Sequence, residues 1–523
     1  MVGSASPVRE RSPAPLDGGA TRSRVRTGGA VAGLGLATLV AAAAWLPFLH
    51  HPLTSDEAGF LLLGRHWSQG SSLYGDYWVD RPPLLIGLFS IAGHGAATAT
   101  TAGVVAPSVK LLGAAASGAA VLLTGVLAAL LAPDARWARR AAVVVAVALL
   151  SSPLLGMPET DGEVLAVPLV LLGLVCLAAA LRRSVDKQAL VLAAVSGAAA
   201  MSAALVKQNV VDVFVFAVVA LVLARRRVAR PWVRAAAFAT GSLGALAVVV
   251  GAAATRGTSP AELWDAIVVF RLQASAVIGS SASSATPQRM SELGAAFVVS
   301  GAALLLVVTA VVALAGAAGR RRQAWASSAP QSVARDLTWP TLAMVAWELC
   351  GVVLGGSYWL HYLTGLVPGL VLLLVLVRVR HRWAVVVAGC VGYAVLACAV
   401  AWTQLATAPV AVSSDAEVAT YLRDHAAPAD GVVVAFGHPG IVAASGLTSP
   451  YEHLWSLPVR VRDPRLGELQ AVLSGPRAPR WVVVAGDALD SWGLDAAAAD
   501  RYLRQHYVDE ATFGGWGVWE RLP

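Results

Sequence analysis

The chain has 523 residues, 57% of them hydrophobic and 13% charged, with a formal net charge of +8 and a mean hydropathy of +0.67. Soluble domains hold about 45–50% apolar residues, and here the apolar residues come in long blocks rather than periodic stripes, which excludes an ordinary soluble fold. The positive balance does not point to nucleic acid, because the basic residues sit in short loops between apolar blocks, where membrane orientation accounts for them.

Residues 1–28, rich in Pro, Ser, Gly and Arg, read as a disordered cytoplasmic tail. Apolar runs follow near 29–49, 104–132, 138–156, 163–181, 189–206, 210–224, 235–253, 293–318, 337–356, 361–377 and 384–406. Measured against the roughly 20 residues that a bilayer core requires, they predict an α-helical polytopic membrane module over 29–406 with about eleven transmembrane helices. The first run has no convincing cleavage site and reads as an uncleaved helix. The 83–94 stretch is too short to cross and reads as an interfacial or re-entrant piece. Clusters such as Arg136, Arg139 and Arg140, or Arg182, Arg183 and Lys187, mark inner loops. The positive-inside rule then puts loop 50–94 outside, in a multi-pass plasma (inner) membrane protein with a cytoplasmic amino terminus.

From about residue 407 the apolar blocks shorten to strand size. Helices at 415–427 and 495–505 alternate with strands at 431–437, 481–486 and 516–521, which predicts a small extracytoplasmic α/β domain over 407–523. The Gly-His-Pro-Gly segment at 437–440 reads as a plain turn. Cys176, Cys350, Cys390 and Cys398 all lie in apolar runs and read as small core residues rather than a disulfide framework. The hydrophilic 254–292 loop carries no recognisable pattern.

Chemistry concentrates in 54–83, directly after the first apolar run, where Asp56, Glu57, Asp76 and Asp80 stand with Arg65 and Arg81 among five aromatics. Other outer helix ends add Glu159, Asp161 and Glu163, then Lys207, then His361 and Tyr362. Ionisable groups at membrane depth are costly and tend to mark sites. A carboxylate can take a proton from an attacking hydroxyl, cations can stabilise charge on a phosphate leaving group, and apolar surroundings accommodate a lipid tail. Each member also has an ordinary reading. Ser55-Asp56-Glu57 is good helix-start chemistry, Lys207 can snorkel to the interface, and His361 with Tyr362 fits an interfacial aromatic belt. Glu348, inside the ninth run, reads as a residue that pairs within the bundle.

Ser55-Asp56-Glu57-Ala58 after the first span, followed by Tyr74-Gly-Asp-Tyr-Trp-Val-Asp-Arg-Pro-Pro-Leu-Leu, resembles the membrane-embedded GT-C glycosyltransferases. The closest branch is that of protein O-mannosyltransferases and lipid A aminoarabinose transferases. The resemblance extends to Glu159-Thr-Asp161 in the second outer loop, to Lys207 at the end of the fifth helix, and to the 359–368 run Trp-Leu-His-Tyr-Leu-Thr-Gly-Leu-Val-Pro. It implies transfer of a hexosyl or pentosyl group, with inversion, from a polyprenyl-phosphate donor to a lipid, glycan or protein of the cell envelope. Asp56 matches the family's catalytic aspartate, with Glu57 and Asp161 as further catalytic candidates. Arg81, Lys207, His361, Tyr362, Asp80 and Glu159 are the candidate substrate-binding residues. Arg81 stands where the family more often has lysine, which keeps the charge and changes the geometry. No cofactor is certain; some GT-C enzymes use a divalent cation, and Mg or Mn is the candidate here, although no ligand spacing compels one. Two rivals of other classes are a flippase or transporter of lipid-linked sugar, which predicts discontinuous helices and internal repeats, and a non-enzymatic envelope scaffold.

Overall fold

A computed structural model describes residues 19–225, 230–280, 285–326, 337–377 and 381–523. The first helix, α1 (Gly19–Ala43), starts ten residues before the expected end of the tail; the remainder of the expected tail, 1–18, lies outside the described residues. Residues 21–26 contain no helix breaker, so nothing in their chemistry obliges the helix to wait for Gly28.

The loop after α1 holds α2 (Ser55–His66), α3 (Pro83–Ala92) and a hairpin of β1 (Thr98–Thr100) and β2 (Gly103–Val105). Pro83 opens α3 at a first-turn position where its missing N–H costs nothing. The bundle continues with α4 (Pro107–Leu131), α5 (Arg136–Leu150), α6 (Gly162–Arg182), α7 (Lys187–Val206), α8 (Asp212–Ala224) and α9 (Pro231–Ala254). The hydrophilic 254–292 loop holds α10 (Pro260–Trp264), a π segment over Asp265–Val269, α11 (Phe270–Ser280) and the start of α12 (Ala285–Val299). A Ser259/Glu262 capping box starts α10, a signal present in the sequence. α13 (Ala302–Ala326), α14 (Thr338–Leu354), a 3-10 turn at Leu360–Leu366, α15 (Val367–Leu376) and α16 (His381–Thr407) complete the bundle.

Among the described residues six helices are long and apolar enough to cross a bilayer, and α12 with α13, bent by 60° at Ser300–Gly301, is either a broken seventh span or a re-entrant loop. The other apolar runs also became helices at their expected places, but α5, α8, α14 and α15 are shorter than a full span. Burial accounts for α15: every residue from Val367 to Val375 is buried, so this helix is a central strut with no lipid face. α1 and α9 are the opposite, peripheral and mostly exposed, with Val31, Leu36 and Val248 turned outward.

The carboxyl-terminal segment runs α17 (Ser414–His425), β3 (Val432–Ala435), α18 (Pro439–Ser445), α19 (Ser456–Arg462), α20 (Gly467–Ser474), β4 (Trp481–Ala485), α21 (Ala497–His506), β5 (Tyr507–Phe513) and β6 (Trp516–Arg521). The sheet order is β3-β4-β6-β5, with β3 and β4 parallel and the other pairs antiparallel. The parallel pair needs a crossover, and α18 to α20 supply it. β5 was not foreseen; it folds back on β6 around Gly514, which sits at φ +57°. One sheet face packs Val433, Val482 and Val484 against Leu469, Leu473 and Leu503, whereas the other joins Val432, Val434 and Val483 to the core of the helical bundle. This segment therefore does not rest on a core of its own alone. Gly440 of α18 faces Ser55 and Ala58 of α2.

Candidate functional site

Thr54 caps α2 in a reciprocal box with Glu57: Thr54 N–H donates to Glu57 Oε2 at 2.9 Å, and Glu57 N–H donates to Thr54 Oγ1 at 3.4 Å. Glu57 has no exposed surface. Its oxygens also accept from Lys110 Nζ at 2.7 and 2.8 Å and from Thr160 N–H at 2.8 Å, while Lys110 donates to Pro158 O at 2.9 Å. A buried charge needs such full pairing. Glu57, expected among the catalytic residues, is thus consumed in a knot tying α2, α4 and the 158–160 loop together, with no free oxygen to offer a substrate.

Its neighbour Asp56 is half-buried at the first turn of α2. Asp56 Oδ1 accepts from the Trp455 indole N–H at 2.8 Å, and Ser55 Oγ donates to Gly437 O at 3.4 Å. Trp455 stacks on Phe60 with ring centroids 5.7 Å apart, a contact that only the bare Gly59 permits. The 437–440 turn, expected to be plain, is part of the wall beside Asp56.

Asp80 and Arg81 close the other side. Arg81 Nη1 lies 3.1 Å from Asp80 Oδ1, Arg271 Nη2 lies 2.6 Å from Asp80 Oδ2, and Gln208 Nε2 donates to Asp80 O at 3.1 Å. The Tyr74 hydroxyl donates to Arg81 O at 2.6 Å. Arg81 feels the charges of Asp80, Asp56 and Glu163. Lys207 pairs with Glu163, and its Nζ stands 4.6 Å from the Tyr362 ring centroid.

Deeper in the same region, His361 Nδ1 lies 3.2 Å from Glu159 Oε2 and 3.3 Å from Asp161 Oδ2, and Thr54 Oγ1 donates to Glu159 Oε1 at 3.1 Å. Asp161 caps α6, accepting from Val164 N–H at 2.9 Å. Burial, reinforced by Glu163 and Glu159 and opposed by His361, pushes the Asp161 carboxyl up to about 8. Burial also works against a charged Glu159, but the His361 charge and the hydrogen bonds from His361 and Thr54 outweigh it and hold that carboxyl below its usual range. One ligand atom from each of Glu159, Asp161 and His361 falls within 4.8 Å of the others, so this trio can hold a divalent cation. The two carboxylates suit the Mg or Mn expected from sequence, whereas the imidazole fits Mn better than Mg, and no spacing along the chain announced the cluster.

Glu163, Tyr362, Val167, Val170 and Pro368 line a small cleft, and Lys207 stands beside it through its pairing with Glu163. Asp212 and Glu348 both stand at its wall, and Glu348 Oε1 accepts from Gly369 N–H at 2.9 Å. That is the intra-bundle pairing expected of Glu348. Lys110, Arg271 and Trp455 were not singled out as site residues. Lys110 had a signal, a lysine inside an apolar helix; the other two had none, since their partners lie far away in sequence.

No protein-family profile and no curated protein matches the chain. Solved structures do. The aminoarabinose transferase ArnT from Cupriavidus metallidurans, bound to undecaprenyl phosphate, aligns with 12% identity over 95% of this chain and 98% of its own, at a TM-score of 0.54. An oligosaccharyltransferase from Archaeoglobus fulgidus, tethered to an acceptor peptide, aligns with 13% identity over 94% of this chain and 74% of its own, also at 0.54. The same archaeal enzyme with zinc and sulfate gives 11% identity and 0.52. The chain is a multi-pass membrane protein with the GT-C glycosyltransferase fold.

Proposed function

We propose that the protein is an inverting glycosyltransferase that moves a hexosyl or pentosyl group from a polyprenyl-phosphate donor to a lipid, glycan or protein acceptor at the outer face of the plasma membrane. In this reading all eleven apolar helices cross or enter the bilayer, the short ones being shielded by their neighbours, and residues 407–523 lie outside. Asp56 removes the proton from an acceptor hydroxyl, whose oxygen attacks the anomeric carbon as the bond to the phosphate oxygen breaks. Arg81 and Lys207 hold the phosphate and stabilise its growing charge, with His361 and Tyr362 beside them. Lys207 reaches the phosphate by leaving Glu163. Asp80 aims Arg81, Glu57 holds the turn that carries Asp56, and Glu159, Asp161 and His361 would hold a divalent cation. That ion, when bound, would offset phosphate charge.

One observation carries the reading: a carboxylate and two cations from separate segments gather around Glu163, which lines the cleft, since Arg81 feels the charges of both Asp56 and Glu163 and Lys207 pairs with Glu163. Undecaprenyl phosphate in the similarly folded ArnT supports the donor class. The test is release of polyprenyl phosphate and labelled acceptor by purified protein given candidate donors. Asp56→Asn is expected to lower the rate by about 10²–10⁴-fold with folding unchanged; a variant as fast as the parent would remove Asp56 as the base. The bent α12–α13 pair and the Asp212–Glu348 pair are features that a transporter would also use. Lipid-linked sugar crossing vesicle membranes without any transfer would favour that second reading.

A further inference from the structure

Away from the cleft, Glu452, His453 and Glu468 meet where α20 begins. His453 is 3% exposed. Its Nε2 lies 3.7 Å from Glu452 Oε1 and 3.6 Å from Glu468 Oε2, separations too long for hydrogen bonds, and the buried Nδ1 has no partner among the described residues. The ring is instead clamped edge-to-face by Tyr451 and Trp78, at 5.4 and 5.8 Å between centroids. A buried imidazole making no hydrogen bond through either nitrogen is unusual.

Negative charge is in surplus around it. Glu452 and Glu468 face the ring, and Asp463 behind them is committed to the Tyr451 hydroxyl at 3.0 Å and to the N–H groups of Glu468 and Leu469 at 3.1 and 3.0 Å. The nearest cation, Arg462, is engaged 2.5 Å from Asp265.

We propose that Glu452 Oε1, His453 Nε2 and Glu468 Oε2 bind a divalent ion of the zinc class, with water completing the coordination. A tetrahedral ion at ordinary zinc–ligand lengths sets its ligands roughly 3.4 Å apart, close to the 3.6 and 3.7 Å seen. One imidazole with two carboxylates favours zinc over calcium or magnesium. The ion would act as a clamp. Trp78 N–H donates to Glu452 O at 3.0 Å and its ring meets Phe270 of α11 at 4.8 Å. Two residues beyond Trp78 stands Asp80, and two beyond His453 stands Trp455, so the clamp joins both sides of the candidate site from outside it. The assignment does not depend on the transferase reading.

The test uses full-length purified protein, stripped with chelator and titrated with Zn²⁺ alone, read by bound metal per chain and by melting temperature. Glu468 is exposed, so Glu468→Gln removes a ligand without disturbing buried packing. It is expected to lose one zinc per chain, or at least about tenfold in affinity, together with the zinc-dependent rise in melting temperature. His453→Gln is expected to do the same, whereas Glu159→Gln, in the other cluster, should leave this site intact. The proposal fails if Glu468→Gln matches the parent in stoichiometry and affinity, if Glu159→Gln abolishes all zinc binding, or if the parent binds none.

Discussion

Asp56 and Glu57 are adjacent in sequence and live in opposite surroundings. Glu57 is sealed in a dry knot where every oxygen is occupied by Lys110, Thr160 or the cap of α2. Asp56 is half-buried at the first turn of α2, with one indole N–H on one oxygen. The difference teaches how a site is divided between holding and reacting. A carboxylate fully satisfied by its protein rigidifies the loop that carries its neighbour, and the neighbour keeps an oxygen for chemistry.

The contrast can be broken from the knot side first. Lys110→Ala leaves Glu57 buried without its cation, and a loss of about 3–5 kcal/mol in stability is expected, read as a fall in melting temperature and in folded yield. If the variant melted with the parent, the knot would not be structural. On the mouth side, Lys207→Gln should raise KM for the lipid-phosphate donor by roughly 10–100-fold with little change in fold, since a charge-assisted contact to phosphate is lost. A change confined to kcat would move Lys207 away from donor binding. Trp455→Phe keeps the stacking on Phe60 and deletes one hydrogen bond to Asp56; a roughly tenfold fall in kcat at unchanged donor KM is expected. An equal fall in folded yield would make Trp455 a packing residue only.

The same region can also be tested through pH dependence. Asp161 titrates at 3.8 when exposed and near 8 in place. The folded chain therefore holds a proton there that the unfolded chain releases between those values. Asp161 thus costs the fold nothing below its unfolded value, and its contribution becomes progressively less favourable as pH rises from about 4 to about 8. Asp161→Asn should flatten that decline, measured as unfolding midpoints across the window. An unchanged slope would mean that the carboxyl is ionised in the folded protein.

Much of this architecture is legible in the amino-acid order because a bilayer imposes length and polarity on whatever crosses it. The apolar runs became helices where expected, and Asp56 is the candidate singled out because it follows the first of them. What stayed hidden depended on partners brought in from far away. Whether Asp56 or Glu57 is free to react was settled by Lys110, 53 residues from Glu57. The role of the 254–292 region came from Arg271 reaching Asp80. The shortness of α15 follows from neighbours on all sides, which hydropathy does not report. The strand β5, with polar residues on its exposed face, gave only a weak alternating signal.

The indole that touches Asp56 is 399 residues downstream of it. During synthesis the aspartate therefore leaves the ribosome long before its partner is translated. A nascent chain can have every helix up to α16 in place and still lack one wall of the candidate site, which closes only once Trp455 has emerged.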